Sequence, residues 1–212
     1  MNKFSSISNQ TILLIGISLI TLSPNAFAST KTSFLSENTI AFKNSWYESQ
    51  FLNNKKIILR SNEGDVNLDY QEINLIGDVQ GKFYFDGESY FIKAPSLRAN
   101  LSNNSILSNE KVIFETKGLQ IISSGIEFNQ VPPEGLMILF ANANLNIINL
   151  GSKALKGKAN KIKLLPLKNI ISMEGNAEFI EGTMKIISDE ILYDLTEDRI
   201  IKSLNAKIIK NL

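Results

Sequence analysis

The sequence predicts an all-β fold, an elongated β-jellyroll or sandwich of stacked antiparallel hairpins. Three observations carry that prediction. From Lys55 onward, short runs of Ile, Leu, Val, Phe and Tyr alternate with polar residues, the period of a strand with one apolar and one polar face. Turn-forming residues recur at short intervals over the same stretch, and no segment in it keeps a helical period for three turns. A strand-turn-strand pattern also repeats between the two halves.

The first 28 residues read as a cleavable export signal. Lys3 supplies the positive start, residues 11–22 (TILLIGISLITL) are apolar, and Ser23, Pro24 and Asn25 break the run. Ala26, Phe27 and Ala28 give the small-x-small pattern for cleavage after Ala28. The apolar run is well short of the roughly 20 residues needed to span hydrocarbon. Residues 29–55 have a poor pattern, and Trp46, Tyr47 and Phe51 are placed to seed a short helix or an irregular cap. Residues 56–212 are then the β body.

Within that body the clearest element is the hairpin over residues 82–92. There Asp86 and Gly87 sit between two aromatic-rich runs, the pair that suits a type I′ turn with positive φ at both central residues. Turns are also expected at Glu63-Gly64, Gly77-Asp78, Asn103-Asn104, Lys117-Gly118, Ser124-Gly125, Gly151, Gly175-Asn176 and Glu181-Gly182. Pro132 and Pro133 mark a break near the middle. Strand parity assigns one face to Val66, Leu68 and Tyr70, then to Phe83, Phe85, Tyr90 and Ile92, and to Leu97 and Leu101. In the second half the same face takes Ile162 and Leu164, Phe179 and Ile186, and Ile191, Tyr193 and Leu195. By pattern alone these residues read as the dry core of a sandwich.

The repeat aligns on a glycine. Residues 73–79 (INLIGDV) precede the hairpin, and residues 92–101 (IKAPSLRANL) follow it. Residues 171–179 (ISMEGNAEF) precede a turn at Gly182, and residues 186–195 (IISDEILYDL) follow that one. The two copies span about 57–131 and 136–212. One hairpin cannot bury its apolar face alone, so equivalent hairpins must stack to make a continuous interior.

Composition narrows the chemistry. The chain has no cysteine and no histidine, which removes disulfides, thiol nucleophiles, Cys/His zinc sites and any histidine-based triad. With 22 basic and 21 acidic side chains the net charge is +1, which leaves no electrostatic footprint for nucleic acid. No calcium loop and no phosphate- or dinucleotide-binding glycine motif occurs, so no metal and no cofactor is expected. The carboxylates Asp86, Glu88, Asp189, Glu190, Glu197 and Asp198 are the remaining catalytic option. They sit mostly at turns, where solvation and turn geometry explain them, and the chain is read as no enzyme.

The pattern Gly-(Asp/Asn)-(Val/Ala), then glycine, then Ile-x-(Ala/Ser)-x-x-(Leu/Ile)-x-(Ala/Tyr)-(Asn/Asp)-Leu resembles the OstA-like family of periplasmic lipopolysaccharide (LPS) transport proteins. LptA, LptC and the N-terminal domain of LptD are its members. The copy over residues 173–210 is similar to the LptA type and the stretch 73–128 to LptC. The resemblance implies a periplasmic β-jellyroll that holds LPS acyl chains between its layers and passes them along an inner-to-outer membrane bridge. On that footing the inward residues named above become groove-facing lipid contacts. The alternative from the residues alone is an envelope β-sandwich interaction protein with no lipid ligand.

Two further features bear on partners. Residues 135–173 hold six lysines and no acid, whereas residues 174–198 hold eight acids and only Lys185. Lys153, Lys156, Lys158, Lys161 and Lys163 are the candidate phosphate contacts. Cross-strand ion pairs on a solvated outer face are the plainer account. Exposed strand edges near residues 57–60 and 206–209 are expected to recruit other Lpt components, or a second copy head to tail.

Overall fold

The computed structural model of the chain describes residues 39–51, 55–85, 87–103, 105–131, 135–147 and 154–210. The export signal and its cleavage position lie outside them. Among the described residues, fourteen strands join one hydrogen-bonded sheet, and a 3-10 turn over Pro166–Lys168 is the sole helical element. This is the all-β jellyroll the sequence predicts.

Eight strands are long. In the first half they are β1 (Thr39–Phe51), β2 (Lys55–Asn67), β3 (Glu72–Phe85) and β4 (Glu88–Asn100). In the second half they are β9 (Gly135–Ile147), β10 (Leu155–Leu165), β11 (Ile170–Glu181) and β12 (Met184–Asp194). Between the halves run four short strands, β5 (Ser105–Ser108), β6 (Val112–Thr116), β7 (Leu119–Ser123) and β8 (Gly125–Val131), and the body ends in β13 (Arg199–Leu204) and β14 (Lys207–Lys210).

The long strands are bent in the middle. Pairing slips between Arg60 and Glu63 in β2, between Ile76 and Val79 in β3, between Lys158 and Lys161 in β10 and between Glu174 and Ala177 in β11. A bulge of this kind bends a strand and shifts which side chains face inward. The sheet then forks. Residues 91–93 of β4 pair with β6 while residues 98–100 pair with β5. It closes again at β9, where residues 144–147 pair with β7 and residues 135–141 with β8. The sheet is therefore folded over into two facing layers, one half of every long strand in each. The first layer carries β6, β7 and β14, and the second carries β5, β8 and β13.

Small residues make the crease possible. Val79 lies opposite Ala94, Ala143 opposite Ala159 and Ala177 opposite Ser188, and all six are buried. A large side chain on the inside of so sharp a bend would meet the strand folding over it. Three serines close the corner backbone: Ser61 donates to the carbonyl of Glu63 at 2.8 Å, Ser123 to that of Gly125 at 2.8 Å and Ser188 to that of Glu190 at 2.7 Å. Left-handed backbone completes the bend, with φ of 78° and 48° at Gly77 and Asp78 and of 73° and 50° at Gly175 and Asn176. A Cβ on Gly77 would meet Asn62, and one on Gly175 would meet Asn160, at 3.2 Å and 3.1 Å.

Three expectations give way. Residues 29–55 are neither irregular nor helical where described, since Thr39–Phe51 forms β1 against β2. Its inward residue Tyr47 is buried while Trp46 points out, and a partner strand supplied by the fold decides the matter. For the same reason the N-terminal end of the strand order is β1, with residues 57–60 covered. Gly77-Asp78 and Gly175-Asn176 do not end strands; both strands bend there and continue. Glu63 and Gly64 likewise lie inside β2. The chain break expected at Pro132 and Pro133, Gly151 and the Asp86 side of the first hairpin fall outside the described residues.

Replacing either corner glycine by alanine forces an L-residue into left-handed backbone, which costs about 1–2 kcal/mol. Gly77→Ala and Gly175→Ala are each expected to lower stability by that amount in urea denaturation. Phe114→Ala, at the centre of the core, is expected to cost about 3–5 kcal/mol in the same assay.

Candidate functional site

The space between the layers is the one place where the apolar faces converge. Its middle is filled. Phe83 of the first layer stacks on Phe128 of the second with ring centroids 4.5 Å apart, and Phe114 meets Phe140 edge-on at 5.2 Å. Phe179 and Tyr193 meet across the gap at 5.2 Å nearer the C-terminal end. Each such pair adds about 0.5–1.5 kcal/mol beyond the area it buries. The inner faces thus satisfy one another in this structure.

The side opposite the crease is different. There the strand ends of the two layers meet without being joined, and a crevice of about 410 Å³ opens between them. Tyr90, Leu119 and Ile147 line it from the first layer; Leu164, Leu167 and Leu195 line it from the second; Glu88 and Lys117 stand on its lip. Its volume falls within the range of small-ligand pockets. The Pro166–Lys168 turn positions Leu167 at this mouth, because Pro166 ends β10 and the left-handed Asn169 turns the chain into β11. A second crevice of about 300 Å³ lies between the same two rims towards the C-terminal end, with Phe179, Met184 and Ile186 facing Tyr193, Asp198 and Ile200. The Tyr193 hydroxyl donates to the Asp198 carboxylate, and burial first, then Asp198, pushes that hydroxyl well above the usual tyrosine range.

Of the residues assigned inward by parity, Val66, Phe83, Tyr90, Ile92 and Leu97 are buried between the layers. So are Ile162, Leu164, Phe179, Ile186, Ile191 and Tyr193. Leu101 and Leu195 are half-buried at the second layer's rim. Leu68 and Tyr70 are not inward. They stand 55% and 70% exposed, because β2 ends at Asn67 and its side chain caps the turn by accepting from the Asp69 and Tyr70 amides. Phe85 ends β3, and its side chain lies outside the description. Parity missed Leu119, Ile147 and Leu167 at the mouth. Leu119 carried a usable signal, since it alternates with Ile121 directly after the Lys117-Gly118 turn.

The lysine-rich stretch centres on β10, and the acid-rich one runs from β11 through β12 to the turn before β13. Lys158 pairs with Glu178 at 3.0 Å, and Glu178 also holds Lys185 at 2.7 Å. Lys163 pairs with Glu174. Lys156 and Lys161 are exposed on the outer faces, while Lys153 falls outside the described residues. The hydrogen bonds from Lys185 and Lys158 hold the Glu178 carboxyl below its ordinary value. Partial burial opposes the charge on Glu174, yet Lys163 holds it low as well. Of the other carboxylates, Glu190 takes Lys202 at 2.8 Å and Asp189 takes the Asn205 amide at 2.7 Å, Glu88 and Glu197 are exposed, and Asp86 lies outside the described residues. No group of three or more acidic side chains among the described residues is arranged to hold a metal ion.

A carboxylate whose folded value is depressed stabilises the fold above its ordinary range, and that contribution is lost as pH falls through the folded value. Lys185→Gln is therefore expected to move the Glu178 midpoint up in an NMR titration of the side-chain carboxyl. The stability difference between variant and parent closes on acidification.

A search of curated sequences finds no match. Among solved structures, the chain is similar to LptH, the LptA-homologous periplasmic component of the lipopolysaccharide transport device from Pseudomonas aeruginosa. The likeness has a TM-score of 0.51 at 11% identity and covers 58% of this chain and 95% of that one, so it bears on the fold. The family model described as LptA/(LptD N-terminal domain) LPS transport protein matches residues 91–199, just over half of the chain and including both rims of the main crevice. The chain belongs to the LptA/LptD N-terminal domain family of LPS transport proteins.

Proposed function

We propose that this chain is a periplasmic carrier that takes LPS acyl chains between its two layers and hands them to neighbouring jellyrolls of an inner-to-outer membrane bridge. The observation that carries the reading is the crevice of about 410 Å³ on the open side of the fold, where apolar residues of both rims stand among the polar Glu88, Thr116, Lys117 and Asn169. An acyl chain enters there rather than through the crease, which is closed by hydrogen-bonded backbone. Entry parts Leu119 and Ile147 from Leu164 and Leu195, and each methylene taken out of water contributes about 0.8 kcal/mol towards that separation. The buried residues named above then exchange contacts with one another for contacts with the guest, which changes the apolar environment little.

The anionic headgroup of the lipid stays at the lip. Lys117 stands there, and Lys156 lines a neighbouring crevice of about 430 Å³. Lys158 and Lys163 are engaged by Glu178 and Glu174, so Lys117 and Lys156 are the cations placed to meet phosphate. Partners add on at the two ends of the strand order, β1 at one and β13 with β14 at the other, where unpaired backbone groups can continue the sheet. Residues 1–28 direct export and are then removed. The chain does no chemistry of its own.

The filled interior favours one other reading, an envelope interaction protein that holds no lipid. A photo-reactive amino acid separates the two. With the probe at Leu119 or Leu195, crosslinks to LPS are expected in cells; with the probe at Glu127, exposed on the second layer's outer face, none are. LPS crosslinks from Glu127 alone, or purified protein free of LPS by mass spectrometry, would leave the interaction reading standing.

A further inference from the structure

We propose that the outer face of the first layer over β1–β4 is a docking surface for an anionic phospholipid bilayer. This goes beyond LPS carriage, since it uses the outside of the fold and needs no guest between the layers. The cross-strand register sets the surface out in rows. Trp46 lies opposite Arg60, Arg60 opposite Gln80 and Gln80 opposite Lys93. Ile58, Lys82 and Phe91 make the next row, and Lys56 with Tyr84 the third.

Two properties distinguish this face. Its aromatic side chains are exposed, Trp46 by 38% and Phe91 by 43%, and the Lys82 ammonium sits 4.6 Å from the Tyr84 ring and 5.2 Å from the Phe91 ring. Its cations outnumber its acids. Glu48 pairs with Lys56 at 2.6 Å, Asp78 at the corner takes the Gln80 amide at 3.1 Å, and Glu115 of β6, opposite Phe91, takes the Gln120 amide at 2.8 Å, whereas Arg60, Lys82 and Lys93 form no ion pair among the described residues. Beyond the crease the same strands change sign: Glu63, Asp65 and Glu72 lie on the opposite outer face, against Lys43 and Arg98.

That combination matches a lipid headgroup layer. Lysine and arginine heads meet phosphate while their stems cover apolar surface, and amphipathic aromatic rings settle at headgroup depth. A free anion would engage one or two of these cations. A charged bilayer engages the spread of them together, and the acidic reverse face turns the molecule so that this side goes down.

The test is sedimentation of the full chain with vesicles at low ionic strength. One set is an equal mixture of phosphatidylethanolamine and phosphatidylglycerol, the other phosphatidylcholine alone. The readout is the anionic-to-neutral binding ratio, so any contribution from the apolar N-terminal run cancels between variants. Each basic residue near an anionic surface is worth about a factor of five. The double variant Arg60→Gln with Lys93→Gln is thus expected to cut the ratio by about 25-fold. Lys43→Gln with Arg98→Gln, which removes the same charge from the reverse face, is expected to leave it unchanged. A ratio near one for the parent chain, or equal loss in both double variants, overturns the proposal. Neither result touches LPS carriage, which is read by crosslinking at the rim.

Discussion

The fold depends on the crease. A single antiparallel sheet can bury its own apolar face only by folding over, and folding over requires each long strand to bend at the same level. The backbone meets that demand in three ways: left-handed corners at Gly77, Asp78, Gly175 and Asn176, serine hydroxyls that satisfy corner carbonyls, and a ridge of small inward residues from Val79 to Ser188. Bulges also change strand parity, so side chains three positions apart, Arg60 and Glu63, both face outward, one from each layer. The separation of the two outer faces by charge is a consequence of the same corner.

Folding the sheet this way makes one side of the interior permanent and the other separable. At the crease, covalent strands connect the layers. At the rims the layers are not joined by a strand, and Leu119 and Ile147 of one face Leu164 and Leu195 of the other across the crevice. The aromatic pairs deeper in are dispersive and non-directional. On the proposed reading, such an interior is closed when empty and opened by a guest of the same chemistry, which reconciles a well-filled core with lipid carriage.

Much of this was legible in the sequence. The period of two from Lys55 onward, the Lys117-Gly118 and Glu181-Gly182 hairpins, and the inward faces of Phe83, Ile92, Phe179 and Tyr193 follow from local pattern, because strand alternation is a local property. The repeated Gly-(Asp/Asn)-small motif was visible too, although its meaning was not. A glycine with positive φ ends a hairpin strand in one context and bends a long strand in another. Which occurs depends on whether a partner strand continues past it, as β2 does beside Gly77 and β10 beside Gly175, and that is a long-range fact. Leu68 and Tyr70 kept the right alternation but lay past the end of their strand, where an Asn67 cap takes over.

The sequence by itself therefore determined the strand content, the apolar faces, the missing chemistry of cysteine and histidine, and the family through a short corner motif. These are set by residue type and by neighbours a few positions away. The tertiary structure alone decided that residues 39–51 are a strand, that two layers share every long strand, and that the mouth lies between Leu119 and Leu195. It also decided which lysines of β10 are engaged and which outer face is left basic. Each of those depends on register between strands distant in the chain, and register is fixed only when the whole sheet closes on itself.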